Sequence, residues 1–147
     1  MKKLLKNFKI IALIAVIGLS MSGCGKDDDK SSNYEVAMFT FAESSRLSYA
    51  LGDVGIPNTN NLPYVSKSQG ESLYYACKSR MNSYDYLQED DGWTYSDIEE
   101  YVNYYASTGY LSYTDAEGIL SRLKQNGYAV HAFLLYSSWT VLFAEEQ

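Results

Sequence analysis

The chain contains few residues that could perform nucleophilic chemistry. It has two cysteines, Cys24 and Cys77, and a single histidine, His131. A thiol nucleophile needs a neighbouring imidazole to form the thiolate, and a donor such as a glutamine amide to stabilise the oxyanion. Because Gln69, Cys77 and His131 supply these residue types, the sequence permits a thiol hydrolase with Cys77 as its nucleophile.

The order of these residues, glutamine before cysteine and histidine later, resembles that of papain-like peptidases. In that family the cysteine begins a helix, whereas Cys77 lies in the middle of a predicted helix, on one stripe with Leu73 and Met81. A cysteine on such a stripe is usually buried and unreactive. His131 stands among apolar neighbours, which favours a structural histidine. We therefore expect no catalytic residue, and a papain-like thiol hydrolase is the alternative.

The sequence also argues against metal ions and cofactors. Aligning Gly92 with the glycine of an EF-hand loop puts Leu87 and Ile98 at the first and last ligand positions, where neither can coordinate calcium. One histidine and one free thiol cannot complete a zinc site. We expect no cofactor, and we expect the acidic segment 88–92 to be a solvated loop, with weak calcium binding as the alternative.

Cys24 belongs to a different kind of motif. Lysines at positions 2, 3, 6 and 9 precede an apolar run over 10–19, and small residues lead up to Cys24. This order is typical of a secretory signal peptide, and the apolar run is shorter than the roughly 20 residues of a membrane span. The segment resembles a bacterial lipoprotein precursor. That resemblance implies that the signal peptide 1–23 is removed and that Cys24 carries a diacylglyceryl group and an acyl chain such as palmitate, which together anchor the protein to a membrane.

The segment after the cysteine predicts where the protein is delivered. Residues 24–33 are polar and charged after Cys24, so they cannot order themselves by burial and are expected to form a flexible acidic tether. Lys26 and the aspartates that follow it resemble the export signal of some Gram-negative surface lipoproteins, and Gly25 is similar to residues that permit transfer to the outer membrane. These resemblances imply an outer-membrane or surface location in the cell envelope. A simple solvated spacer is the alternative.

The processed chain is strongly acidic. Twelve basic residues less the four lysines of 1–23 leave eight, against 18 acidic residues, which gives a charge near −10. A surface of this charge repels phosphate groups, so we expect no nucleic-acid partner. Residues 34–147 are long enough for a single globular domain that buries roughly two-thirds of its unfolded surface.

A repeated motif predicts a pair of helices. Residues 95–99 are similar to residues 113–117, and in both a hydroxyl residue stands three positions before a glutamate, as in a capping box. Apolar residues follow at helical spacing, and Gly109 and Gly127 end the two patterns. We predict helices at 97–108 and 115–126.

The remaining elements complete a mostly helical α+β domain. Residues 69–87 have helical spacing, and 34–51 fit a helix, with a strand over 34–41 as the alternative. The apolar runs 128–136 and 139–144 flank two serines and predict a C-terminal β-hairpin.

Helices followed by a hairpin resemble the winged-helix order, in which the second helix of the pair reads DNA. Asp115 and Glu117 stand at the start of that helix here, where they do not suit contact with phosphates. We thus expect the fold to have the winged-helix order of elements, but we do not expect the DNA-binding function of that family.

Aromatic residues provide the candidate ligand contacts. The 15 tyrosines all follow Cys24, and four aromatic residues off the helical stripes are candidates for binding: Trp93, Tyr104, Tyr110 and Trp139. Such rings stack on sugars or pack against a protein partner while tolerating water. We predict a small non-catalytic binding or scaffold module whose partner is a glycan or an envelope protein.

Overall fold

Four antiparallel strands form the central sheet. They are β1 (Tyr34–Phe41), β2 (Tyr86–Trp93), β3 (Tyr128–Leu135) and β4 (Ser138–Glu146), in the spatial order β2-β1-β4-β3. The computed structural model describes residues 33–147. The predicted signal peptide, the predicted lipidation site Cys24 and the predicted tether up to residue 32 lie outside the described residues.

Helices cover both faces of this sheet. One face carries α1 (Ser44–Asp53), a 3-10 helix (Thr59–Tyr64) and α2 (Lys67–Arg80), and the other carries α3 (Tyr95–Ser107) and α4 (Tyr113–Asn126). Side chains alternate along each strand, so β1 sends Val36 and Met38 towards α3 and α4 and sends Phe39 and Phe41 towards α1 and α2. The domain therefore has two hydrophobic clusters, one on each side of the sheet.

The mixed helical and strand architecture is confirmed, but the winged-helix arrangement is not. The β3–β4 hairpin does not stand apart as a wing. It is half of the four-stranded sheet, because β4 also pairs with β1 along its whole length, from Tyr34 opposite Glu146 to Phe41 opposite Trp139.

The helix pair is present, but its caps lie two residues earlier than predicted. Thr94 accepts a hydrogen bond from the Asp97 backbone N–H at 3.2 Å, and the Asp97 carboxylate accepts from the Thr94 N–H at 2.9 Å. Ser112 caps α4 by accepting from the Asp115 N–H at 3.0 Å. Aspartate thus occupies the position that the sequence analysis gave to glutamate. Gly127 ends α4 with a φ of 75°, as its predicted role requires.

Three predicted segments have different boundaries. Residues 34–41 form β1 and not part of a helix, so the strand alternative is correct. The helix predicted over 69–87 is α2, which ends at Arg80. The acidic segment 88–92 is not a loop. It lies within β2, where the side chains of Leu87 and Glu89 share the sheet face with Phe39 and Ala37 of β1.

The hairpin turn lies one residue before the predicted break. Leu135 pairs with Ser138, so Tyr136 and Ser137 form a two-residue turn in which both residues have positive φ, 53° and 71°. Among residues 33–147, no helix is long and apolar enough to cross a membrane.

Candidate functional site

Cys77 lies in the hydrophobic cluster under α1 and α2. Its side chain is fully buried together with Phe39 and Leu73. Burial raises the pKa of the Cys77 thiol to about 12, because the thiolate would lose its hydration in this apolar environment. The thiol is thus protonated at neutral pH and out of reach of a substrate.

His131 lies on the opposite side of the sheet from Cys77. It stands on β3 between Ala129 and Phe133, which belong to the cluster under α3 and α4, and its Nε2 is 3.4 Å from Oδ2 of Asp115 on α4. Burial lowers the pKa of His131, and the Asp115 carboxylate offsets part of this effect. The imidazole is therefore neutral near pH 7.

The structure does not bring the three predicted hydrolase residues together. Gln69 and Cys77 are both on α2, and the sheet separates that helix from the imidazole of His131. Since thiolate formation needs direct contact between the two groups, this geometry does not support a papain-like mechanism.

We predict that native Cys77 does not react with an alkylating reagent such as iodoacetamide. The reason is its complete burial and its raised pKa, since only an accessible thiolate is a good nucleophile. Mass spectrometry after brief labelling should find Cys77 modified only when denaturant is present, with Cys77→Ser as the blank. Rapid labelling of the folded protein would contradict this assignment.

Ser112 brings a third catalytic residue type close to the histidine. Ser112, Asp115 and His131 all line one cleft along β3. The Ser112 hydroxyl caps α4, however, and no hydrogen bond joins it to His131 within the part of the chain that the structure describes. The three residues therefore do not form a nucleophile–base relay in this arrangement.

Trp93 is a core residue and not a ligand contact. Its side chain is 1% exposed and packs edge-on against Tyr101, with ring centroids 5.8 Å apart. Its indole Nε1 donates a hydrogen bond to Oδ2 of Asp90 at 3.0 Å. Its position off the helical stripes predicted Trp93 for binding, but β2 buries this side chain under α3.

The other predicted rings lie near the β3–β4 turn. Tyr104 is 48% exposed, while Tyr110 and Trp139 are half-buried. Tyr105 contacts both Tyr104 and Tyr110, and Tyr110 contacts Tyr136, with ring centroids 5.0, 6.4 and 4.8 Å apart. We call the connected rings of Tyr104, Tyr105, Tyr110 and Tyr136 the tyrosine surface.

Tyr105 was not among the predicted contact residues, and neither was Tyr136, the most exposed member of this surface. Its side chain is 73% exposed, although its backbone has a φ of 53°. Residues other than glycine, asparagine and aspartate are strained in this region, and such strain often marks a functional position. Glycine or asparagine would suit the turn better, so tyrosine at this position points to a use for its ring.

A cleft runs along β3 beside the tyrosine surface. It has a volume of about 280 Å³, and we call it the β3 cleft. Its floor is 131–134 of β3. One wall is the 3-10 helix with Tyr64, and the other contains Tyr110 and the start of α4. Trp139 also lines it, so the cleft contains two of the four predicted contact residues.

A second, larger groove of about 620 Å³ lies between α2 and the far end of the sheet. Among the described residues 33–147, Lys67 is the only basic residue that lines it, beside six carboxylates: Glu35, Glu71, Glu89, Asp90, Asp91 and Glu145. Glu35 and Glu145 are directly opposite each other on β1 and β4, and Lys67 lies 3.0 Å from Glu145. The Tyr74 hydroxyl donates a hydrogen bond to Glu89. The groove thus repels anionic ligands.

No cluster of metal ligands is present among residues 33–147, since nowhere there do three histidine, cysteine or carboxylate side chains meet in a suitable arrangement. The chain matches no protein-family model, and comparison with curated proteins and with solved structures also gives no match.

Proposed function

We propose that this chain is a lipid-anchored, non-catalytic binding module of the bacterial cell envelope, held in the outer membrane through Cys24. The lipoprotein-like N-terminus supports the location. The separation of Cys77 from His131 by the sheet supports a role without covalent chemistry. Binding to a glycan or an envelope protein is then the function that the residues suit best.

The observation that carries this proposal is the tyrosine surface. Four rings in mutual contact reach the solvent at one end of the sheet, and Tyr136 is held there at the expense of backbone strain. Tyrosine is enriched in binding interfaces because it offers a large rigid contact area and a hydroxyl for hydrogen bonding. Nucleic acid is not the proposed partner, because the processed chain is acidic and Asp115 stands in the first turn of α4, with Glu117 two residues further on.

Retention on isolated envelope material tests the proposal. In a Cys24→Ser background, which removes the acyl attachment, the protein should still bind to envelopes of its own bacterium. Tyr136→Ala should weaken that binding at least about tenfold, as expected for a central interface residue. Tyr75→Ala is the matched control, because Tyr75 is similarly exposed, at 67%, but lies on α2 across the sheet.

Equal retention of both variants and the parent would contradict a binding role for the tyrosine surface. Separate digestion of the envelopes with a protease and with a glycan hydrolase identifies the class of the partner. A stable fold in each variant, verified by its thermal unfolding midpoint, is required for the comparison.

A further inference from the structure

The two edges of the sheet are built differently. β2 forms one edge and carries Glu89, Asp90 and Asp91, and its register with β1 shifts between Tyr34 and Val36. Charges and bulges of this kind prevent an edge strand from pairing with other chains. β3 forms the other edge, and its sequence from 128 to 135 has no lysine, carboxylate or proline. This edge lacks such protection.

The register identifies the backbone groups that β3 leaves open. The Gly127 carbonyl accepts a hydrogen bond from the Glu146 N–H at 2.7 Å. Since hydrogen-bonding direction alternates along a strand, residues 129, 131, 133 and 135 face β4, whereas Val130, Ala132 and Leu134 point their N–H and C=O groups outwards. Within 33–147, no other segment supplies a backbone partner to these three residues.

The β3 cleft surrounds this open edge. Ala132 and Leu134 are on its floor, and the 3-10 helix and the start of α4 form walls on the two sides. A single added strand would lie about 4.8 Å from β3, between these walls. A second copy that paired at this edge would have to bring its own 3-10 helix and α4 alongside these walls, so the space suits a free peptide better.

The side chains around the cleft indicate which peptide would fit. Leu134, 48% exposed, and Trp139 provide an apolar surface on one side. Asp115, with a side chain 47% exposed, provides a carboxylate on the other side. Because neighbouring residues of a strand point to opposite faces, a peptide that alternates apolar and basic residues would match both sides. The acidity of the chain favours the same basic peptide.

We propose that β3 accepts an extended, basic peptide segment of another protein as a fifth strand of the sheet. Main-chain hydrogen bonds to Ala132 and Leu134 would supply affinity, and the two sides of the cleft would supply specificity, as in other cases of strand addition. This inference rests on the proposed function and narrows its partner to a protein segment that docks beside Tyr110.

A single proline substitution tests strand addition. Leu134→Pro removes an outward N–H and leaves the hydrogen bonds to β4 in place, and proline is tolerated on an edge strand in this orientation. Leu134→Ala removes the side chain and keeps the N–H. The probe is a phage-displayed library of random peptides of roughly eight residues, an ordinary strand length. Peptides selected on the full processed protein should bind the Leu134→Pro variant at least tenfold more weakly than the unsubstituted protein. The Leu134→Ala variant should lose much less affinity.

Amide hydrogen exchange of the unsubstituted protein is the second measurement. The selected peptide should slow exchange of the Ala132 and Leu134 amides and leave the amides of Ala129 and Phe133 nearly unchanged. This measurement tests strand addition even if the Leu134→Pro variant fails to fold. Selection of no specific peptide, or unchanged exchange at Ala132 and Leu134, would overturn strand addition. A dimer of the protein alone with the same two amides protected would overturn it in favour of self-pairing.

The envelope experiment separates this inference from the proposed function. If Tyr136→Ala loses envelope retention while Leu134→Pro keeps both its fold and its retention, the binding module stands and the fifth strand is wrong.

Discussion

Replacing Trp93 by alanine is expected to destabilise the protein by about 3–5 kcal/mol, the usual cost of deleting a buried aromatic side chain. Trp93 is 1% exposed and belongs to the cluster that includes Ile98 and Tyr101. The substitution also removes the indole that donates to Asp90. Since small domains are stable by only about 5–15 kcal/mol, much of the folding free energy would be lost. Urea unfolding followed by circular dichroism measures the change.

Tyr104→Ala is the control for this experiment. Tyr104 was predicted as a ligand contact on the same grounds as Trp93, but it is 48% exposed on α3. Its loss should lower the free energy of unfolding by at most about 1.5 kcal/mol, since Tyr104 is half exposed and the substitution removes mainly its ring contact with Tyr105. Equal stability of the two variants, or loss of envelope retention by a stably folded Trp93→Ala protein, would show that our assignment of Trp93 to the core is wrong.

Local signals predicted the helix pair and the hairpin well. Gly109 and Gly127 both have positive φ, which is the backbone conformation that ends a helix and that the sequence pattern required. The caps were misplaced because each motif contains two registers, two residues apart, in which a hydroxyl residue stands three positions before an acidic residue, so the spacing alone allowed either. Thr94 with Asp97 and Ser112 with Asp115 are the registers that the structure adopts.

The sheet was harder to predict because its pairing is non-local. Residues 34–41 become a strand by pairing with 139–146 at the other end of the domain, and nothing within the segment itself decides between strand and helix. The acidic segment 88–92 is a strand because its backbone pairs with β1 at the sheet edge, where Glu89 and Asp91 stay exposed, while the buried Asp90 accepts a hydrogen bond from the Trp93 indole. A composition that indicates a loop was therefore overridden by tertiary pairing.

The candidate site depends on the same non-local pairing. Tyr110 and Trp139, predicted from their position off the helical stripes, both line the β3 cleft. The same criterion failed for Trp93, because β2 pairs with β1 and places that ring in the cluster under α3 and α4. The open edge of β3 could not be recognised from the sequence, since it follows from the order β2-β1-β4-β3. Tyr136 can be recognised as a candidate only once the position of the turn is known, because what distinguishes it is its positive φ.

Replacing Tyr136 and Ser137 together by asparagine and glycine should make the protein more stable and a weaker binder. Both residues have positive φ, and Asn-Gly is the preferred pair for a two-residue hairpin turn. Left-handed backbone costs ordinary residues about 1–2 kcal/mol each, so a net gain of roughly 1–2 kcal/mol is expected after the Tyr136 ring contact is lost. Urea unfolding and envelope retention should thus change in opposite directions, with retention falling at least about tenfold.

Ser137→Gly alone separates the two effects. It relieves the strain at Ser137 while Tyr136 keeps its ring contact with Tyr110, so stability should rise and retention should stay at the level of the unsubstituted protein. A double variant that gains stability and keeps full retention would mean that the Tyr136 ring has no part in binding. The strained turn would then be a feature of the fold alone, because natural proteins also retain suboptimal residues that have no functional role.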